Sequence, residues 1–336
     1  MNKIKVGIIG SGMIVHDLFR FIEEIPEYEF YAIAGTPRSM DQLNELSNEH
    51  HIRYVYIDYK ELLKNEEVNT VYIATPNHLH YQMCKDALLM GKNVICEKPF
   101  TSNGKELKEL VELAKQRQLI MVEAISNQYN RNYLSIKEHM NELGKIKIVQ
   151  CNYSQYSSRY NAFKQGTILP AFDYQKSGGA LMDLNIYNIH FVVGLFGKPD
   201  RVAYLANIEN KIDTSGILTM DYGSFKCVCI GAKDCSSPVT TNVQGDEGCI
   251  HLDVPLNVCS AYTLYKNDKS SQEFNYTNGK HRMYDEFVAF AKIIQENDIE
   301  TSNKMLTHSQ IVMDVIDQAK ASANLVFAAD GREENT

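Results

Sequence analysis

Through the first 125 residues, short apolar runs alternate with amphipathic stretches, the pattern of a parallel sheet with helices on both faces. Runs at 6–9, 31–34, 71–74, 94–96 and 120–123 predict strands. Between the last two, Thr101 and Ser102 open a helix over 105–115, whose leucines recur at 107, 110 and 113 on one face. Repeated strand-helix-strand units of this spacing make a doubly wound parallel sheet. Past about residue 144 the period becomes two, in runs at 146–156, 202–209, 216–222, 225–230, 239–244, 250–253 and 261–265, separated by short turn sequences. Such runs predict a largely antiparallel sheet.

Two helical segments follow. One covers 283–297, with Phe287, Phe290, Ala291 and Ile294 on one face, and the other covers 308–327, with Ile311, Val315, Ala319, Ser322 and Val326. The polar stretch 330–336 is expected to fray. A chain of 336 residues without an internal repeat suits two domains, with the boundary near residues 124–144, ahead of the change of period: 1–124 and 125–336. The fold class is α/β: an N-terminal doubly wound parallel sheet and a C-terminal α+β domain on a large, mostly antiparallel sheet.

Composition narrows the function. With 44% hydrophobic and 23% charged residues, the chain has the usage of a globular protein. Uninterrupted apolar runs such as 191–196 fall short of the ~20 residues a bilayer crossing needs, so no membrane span is expected. The start, Met1-Asn2-Lys3-Ile4-Lys5-Val6, reads as a first strand with no signal peptide and points to the cytoplasm. Eight cysteines include no C-x-x-C pair, which favours reduced structural thiols and no metal site. A net charge of −8 with no dense Lys/Arg run argues against a nucleic-acid partner. A small molecule is the expected partner.

Five stretches carry chemistry. The first strand runs into Gly10-Ser11-Gly12-Met13-Ile14-Val15. Glycines there permit a tight turn and let backbone N–H groups of residues 10–14 approach a pyrophosphate at the start of the next helix. A cofactor with a free ribose 2′-hydroxyl would want Asp or Glu after the second strand. Instead the chain has Gly35-Thr36-Pro37-Arg38-Ser39, whose hydroxyls and guanidinium suit a 2′-phosphate, so NADP is favoured over NAD. Thr75-Pro76-Asn77-His78-Leu79-His80 and Cys96-Glu97-Lys98-Pro99 follow two further strands, at the carboxyl ends where open α/β sheets bind ligands. Thr75, Pro76, Asn77, His80 and Glu97 are cofactor candidates. Lys98 is placed to hydrogen-bond a reacting oxygen. In the second half, Asp183, Tyr187 and His190 follow Gly178-Gly179 at i, i+4 and i+7, one polar stripe on an otherwise apolar helix. Either structural bonding or the floor of a substrate cleft accounts for it.

Together these motifs resemble the Gfo/Idh/MocA family of glucose–fructose oxidoreductase and inositol dehydrogenase-like enzymes, from Gly10 to about Ala328. The most specific elements are Ala74–His80, Glu97-Lys98-Pro99, Gly178-Gly179 with Asp183 and Tyr187, and the stretch 244–250. The resemblance implies a Rossmann domain and hydride transfer between NAD(P) and a secondary alcohol or ketone of a sugar, polyol or related cyclic compound. It implies Lys98 as the catalytic lysine, Asp183 as the acid holding substrate, and Tyr187 in the acid/base position, as in the dihydrodiol and aldose dehydrogenase-like members. His190 joins them as a substrate candidate. A homodimer or dimer of dimers through the C-terminal sheet is also implied. Non-redox glycoside cleavage with bound NAD and a non-catalytic dinucleotide-binding regulator are the alternatives within the family. Three positions depart from its pattern: Val15 in the glycine loop, Asn185 between Asp183 and Tyr187, and Ser126–Arg131 where many relatives carry an arginine.

Overall fold

A computed structural model describes residues 3–331. The first half supplies β1 (Ile4–Ile9), α1 (Met13–Phe19), β2 (Tyr28–Ala34), α2 (Met40–Glu49), β3 (Tyr54–Tyr56), α3 (Tyr59–Leu63), β4 (Thr70–Ile73), α4 (His80–Leu89), β5 (Asn93–Glu97), α5 (Gly104–Arg117) and β6 (Met121–Ala124). All six strands are parallel, in the order β3-β2-β1-β4-β5-β6. This is the order of a dinucleotide-binding Rossmann sheet, with its topological switch between β1 and β4. β4 and β6 are buried at every position and β5 at all but its first, as strands covered on both faces must be.

The remainder supplies α6 (Arg131–His139), β7 (Ile146–Ser154), α7 (Tyr160–Lys164), α8 (Ile186–Phe196), β8 (Arg201–Glu209), β9 (Ile212–Asp221), β10 (Lys226–Ala232), β11 (Thr240–Gly245), β12 (Gly248–Leu252), β13 (Tyr262–Lys266), β14 (Ser271–Phe274), α9 (Tyr284–Gln295) and α10 (Ile299–Ser322). Eight strands form one sheet, β14-β13-β12-β11-β7-β10-β9-β8, antiparallel except for the β7–β10 pair. Buried and open positions alternate along β10 and β11, the mark of a sheet covered on one face. α8 packs on β7 and β10.

The chain falls into two compact units. One holds the chain through Thr101, Lys105–Ala124 and Met283–Thr307; the other holds Ser102–Gly104, Ile125–Arg282 and the chain from His308 onward. Residues 283–307 thus group with the parallel sheet, not with the second domain as the change of period suggests. Tyr28 explains part of this: its hydroxyl donates to the Phe287 carbonyl at 2.7 Å, and its ring meets the Phe287 ring at 5.9 Å.

Other departures have local causes. β3 and β14 are short and lack an apolar alternation. β9 begins at Ile212, because polar Asp213, Thr214 and Ser215 are buried through side-chain hydrogen bonds. Asp330 is not frayed: its carboxylate accepts from Lys320 Nζ and from the Phe327 amide, each at 2.8 Å. The rest of the expected polar tail, 332–336, lies outside the described residues. The helical run Tyr174–Phe196 is long and apolar enough, by length and composition, to cross a membrane, contrary to the expectation from run length. Its most apolar window is 78% buried inside the protein, which accounts for its apolarity as core.

Candidate active site

In the first unit the loops after β1, β4 and β5 carry the expected cofactor residues. Gly10 has φ +119°, and a Cβ on it would lie 2.3 Å from the Ala74 carbonyl oxygen. Only glycine serves where the loop passes so close to β4. At Gly12 the opposite holds, since nothing stands within 4 Å of a Cβ built there. This open space beside the N-cap of α1 is the cradle that a pyrophosphate requires, so the loop fits a dinucleotide. Ser11 and Gln42 brace it, Ser11 Oγ donating to Gln42 Oε1 at 3.1 Å. Met13 is 72% exposed and Ile14 half-buried. Val15, larger than the usual residue of the loop, is accommodated with no exposed surface.

After β2, Thr36 and Arg38 are exposed, and Thr36 and Ser39 form a reciprocal capping box. No carboxylate occurs between Gly35 and Met40. After β4, Pro76 is exposed while Thr75 and Asn77 are half-buried.

Two expected cofactor residues turn inward. The His80 ring is fully buried, its Nδ1 2.8 Å from the Pro99 carbonyl and its Nε2 2.8 Å from the Thr75 carbonyl. It is therefore a strut between the loops after β4 and β5 and offers no nitrogen to a ligand. Burial holds its pKa below the usual histidine value, against the pull of the two carbonyls. Glu97, 9% exposed, accepts the Tyr72 hydroxyl at 2.6 Å, and burial followed by the Glu97 charge pushes that phenol well up. Glu97 thus anchors the end of β5. Lys98 beside it is half-buried, and Glu123 fixes the following turn by accepting from the Phe100 amide at 3.1 Å.

In the second unit, Asp183 and Tyr187 stand where a π-helical turn, Leu181–Asn185, passes into α8. Such turns are frequent at functional sites. The turn breaks the regular i, i+4 spacing on which the polar stripe was predicted. Asp183 is 37% exposed in its side chain and pairs with Lys233 Nζ at 2.5 Å. Tyr187 is 7% exposed, with the Tyr153 ring 6.3 Å away. His190 does not reach a substrate surface: it is fully buried, with Nδ1 2.9 Å from His308 Nε2. Asn185 has an ordinary helical φ of −68°. Its role is packing, since its amide donates to the Cys229 carbonyl at 3.2 Å and a Cβ at Gly231 would meet it at 2.7 Å.

Several supporting residues carry no local signal in the sequence. Asn127, Gln128 and Tyr133 donate to the carbonyls of Tyr187, His190 and Phe191 at 2.9, 2.8 and 3.0 Å. Asp213 caps the π turn, its Oδ2 accepting from the Leu181 amide at 2.7 Å and the Tyr204 hydroxyl at 2.8 Å. A Cβ on Gly179 would lie 2.0 Å from Asp213 Oδ1, which explains the glycine. Burial pushes the Asp213 carboxyl up to about 6. Among the described residues no cluster suited to a metal occurs.

Comparison with known proteins matches both halves. Residues 4–124 match the GFO_IDH_MocA oxidoreductase family with an NAD-binding Rossmann fold, and 136–251 match the GFO/IDH/MocA C-terminal domain. A scyllo-inositol 2-dehydrogenase (NADP(+)), IolU of Bacillus subtilis, is 30% identical over 97% of this chain and 99% of its own. The trans-1,2-dihydrobenzene-1,2-diol dehydrogenase of Sus scrofa is 25% identical over 97% and 99%. A crystal structure of KijD10, a 3-ketoreductase from Actinomadura kijaniata in complex with NADP and TDP-benzene, superposes with a TM-score of 0.80 at 21% identity, over 95% of this chain and 98% of that one.

Proposed function

This chain belongs to the Gfo/Idh/MocA family of oxidoreductases, and from that premise we propose that it is an NADP-linked dehydrogenase of a cyclic polyol of the inositol kind. That it is an NAD(P)-dependent oxidoreductase acting on alcohol or ketone groups of sugar-like compounds follows from the family and its named members.

One observation supports NADP: the turn after β2 exposes Thr36 and Arg38 and has no carboxylate. A guanidinium binds a 2′-phosphate through charge-assisted hydrogen bonds, whereas an acid there would repel it. The NADP(+) in the name of the Bacillus relative agrees. Gly10–Ile14 would hold the pyrophosphate and Thr75–Asn77 would lie toward the nicotinamide ribose.

The cofactor, when bound, supplies the hydride acceptor. Lys98, a donor without acceptor capacity, donates a hydrogen bond to the alcohol oxygen and stabilises the charge that develops on it. In the oxidation direction the Tyr187 oxygen, in its phenolate form, takes the proton that this alcohol sheds as hydride leaves its carbon. The Asp183 carboxylate accepts from a neighbouring hydroxyl and fixes the ring. Titration of the purified protein with NADPH and NADH, after mass spectrometry for retained nucleotide, tests the cofactor. Tighter NADPH binding is expected, followed by NADP-linked oxidation of scyllo-inositol. Tightly retained NAD overturns the NADP reading, and binding of neither removes the dehydrogenase reading.

Self-association through the open face of the eight-stranded sheet belongs to the same reading. Leu205, 73% exposed, pairs in register with Ile217, 43% exposed, and Ile148 is 48% exposed. These exposed apolar side chains support reading this face as the self-association surface. Light scattering should give a dimer or tetramer; a monomer at micromolar concentration contradicts it.

A further inference from the structure

Lys233 is a deeply buried charged group that touches Asp183. Its side chain is 2% exposed, yet it ends within 2.5 Å of Asp183 Oδ2, and a lysine so buried is almost always paired. Its placement is fixed on every side. The Lys233 amide donates to the Thr214 carbonyl at 2.8 Å, and its own carbonyl accepts from the Ser157 amide at 2.9 Å. The ammonium also donates to the Ala171 carbonyl at 2.9 Å and lies 4.8 Å from the centre of the Phe172 ring. Ala171 in turn accepts from the Gly179 amide at 3.1 Å, at the start of the turn that carries Asp183.

We propose that Lys233 is the positioning residue of Asp183: it supplies the counter-charge that holds the carboxylate as an acceptor for a substrate hydroxyl, and it locks that carboxylate to the 170–172 loop. Lys233 touches no reacting atom. It acts by committing Oδ2 and so fixing how the half-exposed carboxylate is presented, with a short charge-assisted bond stronger than a neutral one. The inference rests on the polyol reading above and deepens it.

The experiment compares wild type, K233M, K233Q, D183N and D183N/K233M as full chains with NADP+, using scyllo-inositol and trans-1,2-dihydrobenzene-1,2-diol as probes. K233M and K233Q should raise the KM of the oxidised probe by about tenfold or more, with a smaller change in kcat and an unchanged NADPH Kd. The double variant should be no worse than D183N, because Lys233 acts through Asp183. Two substitutions at Lys233 are measured so that a folding failure of one leaves the other. Wild-type KM in a folded Lys233 variant, or additive losses in the double variant, overturns the inference while leaving the polyol reading intact. If the wild type oxidises neither probe, the polyol reading fails and the inference fails with it.

Discussion

The side-chain amide of Asn127 donates to the main-chain carbonyl of Tyr187 at 2.9 Å. Asn127 is 1% exposed, so the bond is shielded from water and removing it strands a polar group, at about 1–3 kcal/mol. Asn127→Ala should lower stability by that amount and reduce kcat severalfold, because the backbone of the proposed acid/base loses a support. NADPH affinity should be unchanged. Thermal denaturation and steady-state kinetics on one preparation check both.

The two loop glycines should separate folding from binding. Gly10→Ala places a methyl 2.3 Å from the Ala74 carbonyl at φ +119°, and should destabilise the Rossmann unit by several kcal/mol, about the range for strain at a special backbone position. Gly12→Ala meets no protein atom within 4 Å. It should leave the melting temperature nearly unchanged and weaken NADPH binding by at least tenfold. Calorimetry paired with fluorescence titration distinguishes the two.

Arg38 is exposed, and its substitution should cost little stability. Arg38→Ala should weaken NADPH about 10- to 100-fold, the value of hydrogen bonds to a charged group, while NADH affinity changes by less than a factor of about three. Equal losses for both nucleotides would remove Arg38 as the reader of the 2′-phosphate.

His308 sets a pH dependence. Burial first, then the neighbouring His190 and Lys137, holds its pKa well below the usual value. The folded state thus binds fewer protons than the unfolded chain below about pH 6.5, and stability falls as pH drops through that value. His80 contributes with the same sign. Asp213, raised to about 6, contributes the opposite, adding relative stability as pH falls below that value toward the ordinary aspartate range. His308→Gln should therefore show a smaller loss of melting temperature between pH 7 and about 5 than wild type. An identical loss would exclude His308 from the acid sensitivity.

Five of the six parallel strands and the loops after β1, β4 and β5 could be read along the chain because parallel strands buried on both faces are apolar runs, and the loops follow them directly. Tyr54–Tyr56 and Ser271–Phe274 could not, being too short for a period. Side-chain roles that depend on distant partners were also out of reach. His80 reads as a polar residue after a strand until the Pro99 carbonyl is placed against it. His190 reads as a cleft residue until His308 is found 118 positions away. Nothing local marks Lys233, whose partner lies 50 residues upstream.

In the proposed reaction Lys98 and Tyr187 serve the oxygen from whose carbon hydride leaves. Steady-state NADP+ reduction with scyllo-inositol, measured for wild type, Lys98→Ala and Tyr187→Phe alongside NADPH affinity, tests it most directly. Each substitution should lower kcat/KM by about 10²–10⁴-fold, the usual contribution of a proton-transfer group, with NADPH affinity within a few fold of wild type. Near wild-type kcat/KM in either variant would contradict the assignment.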